Sequence, residues 1–190
     1  WTKKKKQRIQ DSRVIGTRNL VKALEQTGGP TVLVSSSAIG YYGDQGDSEL
    51  AEDHPSGRDF LADISNAWET EANNAATHGI RVVVIRTGIV LAHGGGALAS
   101  MLLPFKMGVG GPMGSGKQWW SWIHRDDLVA ICLRAISDNE MVGVYNGTAP
   151  HPMRQGDFST VLGKVLHRPA FLPTPAFALK LALGGFSTEL

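Results

Sequence analysis

Two short apolar runs, separated by a segment of helical period, restrict this chain more than any other feature. Val32-Leu33-Val34 sits in a run over residues 31–35 that opens after Gly28-Gly29-Pro30. Ile80-Arg81-Val82-Val83-Val84-Ile85-Arg86 is dense in β-branched residues and opens after Gly79. Apolar character that is continuous rather than alternating marks strands covered on both faces, as in a parallel sheet with helices on each side. Between the runs, residues 59–78 set Leu61, Ile64, Trp68 and Ala72 on one side at helical spacing. Strand, helix and strand in that order make a βαβ unit, whose crossover is right-handed in nearly every case. The expected fold class is α/β: a Rossmann-like parallel sheet with flanking helices.

The remaining pattern agrees. Ile9, Val14, Leu20, Val21 and Leu24 predict a helix over 3–27, stopped by the Gly28-Gly29-Pro30 breaker. Further helices are predicted over 96–107, 126–137 and 155–166, with extended chain over 119–123 and a strand over 142–147. More than twenty residues without regular pattern lie between Ser35 and Asp59. Connections that long in compact domains are usually functional, and this one leaves the carboxyl end of a parallel strand, where open α/β sheets bind ligands. The glycine-rich stretch 108–116 is read as a mobile loop leaving the same region.

Composition excludes several classes. A 190-residue chain with 42% hydrophobic and 19% charged residues has material for a real core. The net charge of +2 is small, and the cluster Lys3, Lys4, Lys5, Lys6 and Arg8 reads as a solvated face. No aromatic platform accompanies it, so no nucleic-acid partner is expected. The single cysteine, Cys132, rules out an internal disulfide framework and reads as a buried, inert thiol. No stretch is long enough to span a bilayer and no signal-peptide pattern occurs; the apolar tail 171–183 is short and broken by Pro173, Pro175 and Lys180. A cytoplasmic location without membrane partners is the expectation.

Gly111-Pro112-Met113-Gly114-Ser115-Gly116-Lys117 mimics a phosphate-binding loop, but Gln118 replaces the magnesium-binding hydroxyl and Trp119-Trp120 replaces the following helix. The six histidines show no ligand-pair spacing, so no metal is expected, and no Gly-x-Ser-x-Gly elbow occurs.

Val34-Ser35-Ser36-Ser37-Ala38-Ile39-Gly40-Tyr41-Tyr42-Gly43-Asp44 places hydroxyls at the end of a buried strand, before a tyrosine-glycine turn. Such hydroxyls either face a nicotinamide ring and a substrate carbonyl or cap the strand and turn. The segment resembles the Ser-Ser-x-x-x-Tyr-Gly signature of the extended short-chain dehydrogenase/reductases, the NAD-dependent epimerase/dehydratase superfamily. The likeness continues through Arg86-Thr87-Gly88-Ile89-Val90-Leu91, Trp122-Ile123-His124-Arg125-Asp126-Asp127 and Asn146-Gly147-Thr148-Ala149-Pro150. Together with Leu103-Pro104-Phe105 and Ser12-Arg13-Val14-Ile15-Gly16-Thr17, this is similar to the atypical "epimerase family protein" branch, sometimes described as cell-division inhibitors.

The resemblance implies NADP or NAD as cofactor, with NADP preferred, and a small-molecule substrate of the nucleotide-sugar or carbonyl class. It implies cofactor contacts from Ser35, Ser36, Thr87, Gly88 and Val90. If the chain is an enzyme, the expectation is that Ser37 orients a substrate oxygen and that Tyr41 or His124 donates the proton; the alternatives are that Tyr41 and Tyr42 pack the turn and that His124 only hydrogen-bonds at a strand end. Residues 1–148 are expected to form an incomplete NAD(P)-binding domain, with 92–118 as a substrate-side loop and helix, and 149–190 a partial C-terminal cap. The family's Gly-x-x-Gly-x-x-Gly turn would precede Trp1, so the expectation is a chain truncated at both ends.

One departure bears on chemistry. The superfamily's working tyrosine is followed four residues later by a lysine that assists its proton transfer. Here Tyr41, Tyr42 and Tyr145 are followed at that spacing by Gln45, Gly46 and Ala149, and registering the helix on Trp68-Glu69 puts Leu61 and Ser65 in the pair's place. Two readings stay open: an NAD(P)-dependent oxidoreductase or epimerase-like enzyme using other groups, or a dinucleotide-binding regulator without catalysis. Arg86 pairs either with a phosphate or with a buried carboxylate. The oligomeric state is left open.

Overall fold

The computed structural model describes residues 2–173. Its described residues divide into two compact units, Lys3–Gly88 with Asp126–Thr148, and Thr2 with Ile89–Arg125 and 149–173.

The first unit is an α/β sandwich of the Rossmann type. Strands β1 (Val32–Ala38), β2 (Arg81–Thr87) and β6 (Gly143–Gly147) form a parallel sheet in the order β1-β2-β6. The central strand β2 is buried from Val82 to Arg86, which is why its sequence is apolar without alternation. Successive side chains leave opposite faces. Val82 and Val84 pack with Val21, Ala75 and Ile80 under helices α1 (Lys3–Thr27) and α2 (Phe60–Asn73). Val83 and Ile85 pack with Ala135 and Met141 under α4 (Arg125–Ser137). Each such aliphatic side chain removed from water contributes roughly 1.5–3 kcal/mol. Cys132 joins the second layer only half-buried, because α4 turns that position toward the helix flank.

Strand β1 starts one residue later and runs three residues further than the 31–35 apolar run. Ser36, Ser37 and Ala38 pair in register with Ile85, Arg86 and Thr87, so ladder hydrogen bonds hold polar residues in the strand. Helix α2 begins at Asp59, whose carboxylate accepts from the backbone N–H groups of Leu61 and Ala62 at 2.8 and 2.9 Å. The helix does not stay α-helical to 78. It tightens into a 3-10 turn over Asn74–His78 and is closed by Gly79 at φ 74°. The face it buries is Ala62, Ile64, Ser65, Glu69 and Ala72, leaving Trp68 half-buried beside Arg13.

The second unit is built from a parallel pair, β3 (Ile89–Leu91) with β5 (Trp122–His124), and an antiparallel pair, β4 (Trp119–Trp120) with β7 (Met153–Arg154). Helices α3 (Gly96–Lys106) and α5 (Gln155–Leu166) complete it around Phe105, Trp120, Phe158 and Leu162. The predicted extended run 119–123 is therefore two strands with different partners, split at Ser121, whose carbonyl accepts from the Ile89 N–H.

The glycine-rich stretch 108–116 is pinned rather than loose. The fully buried Gln155 accepts from the Met113 N–H and donates to Ser159, which donates to the Gly111 carbonyl. Gly116 and Gly156 touch backbone to backbone. Helix α3 precedes this stretch and β4 follows it, the reverse of a phosphate-binding loop's surroundings. Among the described residues no helix is long and apolar enough to cross a membrane, and no group of three or more His, Cys, Asp or Glu side chains could hold a metal.

Candidate functional site

At the carboxyl ends of β1, β2 and β6, the first unit gathers a dense polar cluster. The parallel register sets Ser37 beside Arg86 and Arg86 beside Asn146. Arg86 is 3% exposed and would be costly to bury alone. Glu69, from the buried face of α2, meets it in a fork. Arg86 Nε donates to Glu69 Oε1 and Nη2 to Glu69 Oε2, each at 2.9 Å. A planar bidentate pair of this kind is the strong form of the interaction. Burial pulls the Arg86 pKa down, but the hydrogen bonds and charge of Glu69, with help from Tyr42, more than offset it. The guanidinium is held above its ordinary value.

The remaining guanidinium N–H groups tie down the loop after β1. Arg86 Nη1 donates to the Tyr42 hydroxyl at 3.0 Å and to the Glu52 carbonyl at 2.9 Å. Tyr42, 2% exposed, donates in turn to Asn146 Oδ1 at 2.7 Å. Asn146 donates its side-chain amide to the Leu50 carbonyl and its backbone N–H to the Glu52 carboxylate. The turn itself, a 3-10 segment at Ile39–Tyr42, ends on Gly43 at φ 65°, a conformation that favours glycine. Gly57 closes the loop by donating to the Tyr41 carbonyl. A side chain there would meet the Tyr42 carbonyl at 2.7 Å.

The expected site residues fall as follows. Ser37 is 3% exposed and donates its hydroxyl to Glu69 Oε1 at 2.6 Å. Ser35 is buried within β1, while Ser36 is exposed. Thr87 and Gly88 lie half-buried at the end of β2, where the Gly88 N–H donates to the Gly147 carbonyl. Tyr41 is half-buried, with its ring centroid 3.4 Å from the Arg86 guanidinium carbon and 5.3 Å from the Tyr42 ring in a T-shaped contact. These six belong to the first unit. Val90 on β3 and the exposed His124 on β5 belong to the second. Of the two roles open to Arg86, the structure shows the pairing with a buried carboxylate.

Glu69, Tyr42, Asn146 and Glu52 were not singled out from sequence. The available signal was Glu69 itself, a carboxylate at 61, 65, 69 spacing on the helix face that also carries Ser65 and Ala72.

The profile of the NAD dependent epimerase/dehydratase family matches residues 1–146. The chain is 46% identical to the "Epimerase family protein SDR39U1 homolog, chloroplastic" of Arabidopsis thaliana, over 99% of its own length and 55% of that protein. The human epimerase family protein SDR39U1 (isoform 2), solved with NADPH, superposes at a TM-score of 0.92 with 35% identity, covering 100% of this chain and 65% of the human one. A nucleoside-diphosphate sugar epimerase from Corynebacterium glutamicum superposes at 0.78 with 36% identity, covering 96% of this chain and 40% of that one. The chain thus spans about half to two thirds of the length of the first two relatives.

Proposed function

The chain belongs to the NAD-dependent epimerase/dehydratase family, and from that premise we propose that the whole protein is an NADPH-dependent oxidoreductase acting on the sugar of a nucleoside-diphosphate sugar. The observation that supports this reading is the superposition of the whole chain on 65% of a relative solved with NADPH. The sugar class follows the name of the Corynebacterium relative, which is above one-third identical.

The residues present suit one half of the cofactor. Ser36, Thr87 and Gly88 offer neutral hydrogen-bonding groups at the strand ends, suited to a nicotinamide and its ribose. Two helix N-termini of the first unit, those of α2 and α4, do not suit the phosphates. Asp59 caps α2, and Asp126 with Asp127 fills the first turn of α4, so both present negative charge where an anion would need N–H groups. The pyrophosphate needs residues beyond these. When bound, NADPH supplies a hydride. This chain's residues then have to seat the sugar and deliver a proton, without a Tyr-x-x-x-Lys pair.

A non-catalytic dinucleotide-binding role is favoured by one observation: the hydroxyls of Ser37 and Tyr42 both donate inside the protein. Two measurements decide between the readings. Calorimetric titration with NADPH is expected to give micromolar affinity for the whole protein and at least tenfold weaker binding for residues 1–190 alone. NADPH oxidation is then followed with UDP-4-keto-6-deoxyglucose. Absence of NADPH binding by the whole protein refutes the cofactor assignment, and binding without turnover over a panel of keto-sugar nucleotides selects the regulator.

A further inference from the structure

Resting on that reading, we propose that Tyr41 is the proton donor of this site and that Arg86 is the residue that positions it, in place of the missing tyrosine–lysine pair. Three hydroxyls cluster where β1 runs into its turn, those of Ser37, Tyr41 and Tyr42. Two of them are committed. Glu69, ion-paired to Arg86, has only acceptor sites, so the single Ser37 proton lies on the 2.6 Å line between them. Tyr42 donates at 2.7 Å to Asn146 Oδ1. The Asn146 amide is oriented that way because its Nδ2 donates to the Leu50 carbonyl. Tyr42 also accepts from Arg86 and is 2% exposed.

Tyr41 differs on each count. Its hydroxyl has no hydrogen-bond partner among the described residues, and the side chain is half-buried rather than closed off. Its ring is nevertheless held on two sides, by the guanidinium face 3.4 Å from its centroid and by the edge-on Tyr42 ring. Arg86 cannot drift, since Glu69, Tyr42 and the Glu52 carbonyl hold all the bonded nitrogens of its fork. The Tyr41 backbone is fixed as well, by the Gly57 N–H. A hydroxyl left free on a ring that is itself immobilised is a preorganised donor at the carboxyl end of the sheet.

In the reducing direction the carbonyl π bond breaks as its carbon gains the hydride of the reduced nicotinamide and its oxygen gains the Tyr41 Oη proton. The sugar is reduced, the nicotinamide is oxidised, and water returns the proton to Tyr41. Arg86 touches no reacting atom and acts through the ring.

The test uses the whole protein loaded with NADP+, labelled with tyrosine carrying 13C at Cζ, and UDP-glucose as the probe. The Tyr41 resonance, assigned by its loss in Tyr41→Phe, is expected to move on addition of UDP-glucose while the Tyr42 resonance stays. Tyr41→Phe keeps the stacked ring, so melting temperature and NADPH affinity should hold within about twofold in Kd, while kcat falls at least a hundredfold with little change in KM. Tyr42→Phe should lower the melting temperature and cost less in kcat than Tyr41→Phe, since it removes a hold on Arg86 but not the donated proton. Arg86→Lys should lower kcat more than it raises KM. NADPH binding with a silent Tyr41 resonance, or a Tyr41→Phe protein with unchanged kcat, overturns this assignment alone. Failure of the wild-type protein to bind NADPH overturns the underlying reading and the assignment with it.

Discussion

Replacing Glu69 by glutamine tests whether the Arg86 fork is the structural centre of the first unit. The side chains of Arg86 and Glu69 are 3% and 7% exposed, so neither charge has water to fall back on. Glutamine keeps the shape and one acceptor oxygen but removes the negative charge, and leaves the Arg86 cation buried with only neutral oxygen acceptors, the glutamine amide oxygen, the Tyr42 hydroxyl and the Glu52 carbonyl. Removing one partner of a buried pair costs about 3–5 kcal/mol. In a domain of this size that corresponds to roughly 6–20 °C in melting temperature, at about 2–4 °C per kcal/mol. The assay is a urea or thermal melt of the whole protein, repeated for Arg86→Met and for the double variant. The double variant should be less destabilised than the two singles summed, by about 1–3 kcal/mol, because the second substitution removes the charge that the first left unpaired. A loss below about 1 kcal/mol for Glu69→Gln, or strictly additive singles, would refute the view that the fork is one buried unit.

Three smaller perturbations address its surroundings. Asp59→Ala removes the acceptor of the Leu61 and Ala62 N–H groups and should cost about 1 kcal/mol in a denaturant melt, the usual value of an N-cap; Asp59→Asn should recover most of it. Gly57→Ala drives a methyl group into the Tyr42 carbonyl and the Gly43 backbone, so proteolysis within residues 44–58 should quicken severalfold relative to wild type. The Arg18 hydrogen bond and charge hold the Glu71 carboxyl below its ordinary pKa. Stability from a depressed carboxyl is present above the unfolded pKa and lost as pH falls through the folded one. The melting-temperature gap between wild type and Arg18→Ala should therefore be open at pH 7 and close below about pH 4; a gap independent of pH would contradict the pairing.

Local periodicity made most of the first unit legible. The unalternating β2 sequence states that both faces of that strand are covered, and α1 lies over the residues its pattern marked. Where the expectation missed, long-range pairing decided the outcome. Ser36 and Ser37 have weak strand propensity, yet β1 extends through them because Ile85 and Arg86 stand alongside with free ladder groups. The run 119–123 reads as one extended piece, and divides because Arg154 and Ile89 claim its two ends.

For the site, the sequence by itself determined that hydroxyls would stand at the end of a parallel strand, that a tyrosine-glycine turn would follow, and that no tyrosine has a lysine four residues on. Those are properties of neighbours along the chain. Which hydroxyls are free was decided only by the tertiary structure. Arg86 finds its carboxylate 17 residues back along the chain, and that same carboxylate accepts the hydrogen bond of Ser37, 32 residues before it. A buried charge must be paired wherever the fold brings a partner within reach. The identity of that partner depends on how α2 rotates its polar position onto the sheet. The same rotation leaves Ser37 donating inward and Tyr41 stacked with its hydroxyl unclaimed among the described residues, a distinction that no spacing in the sequence encodes.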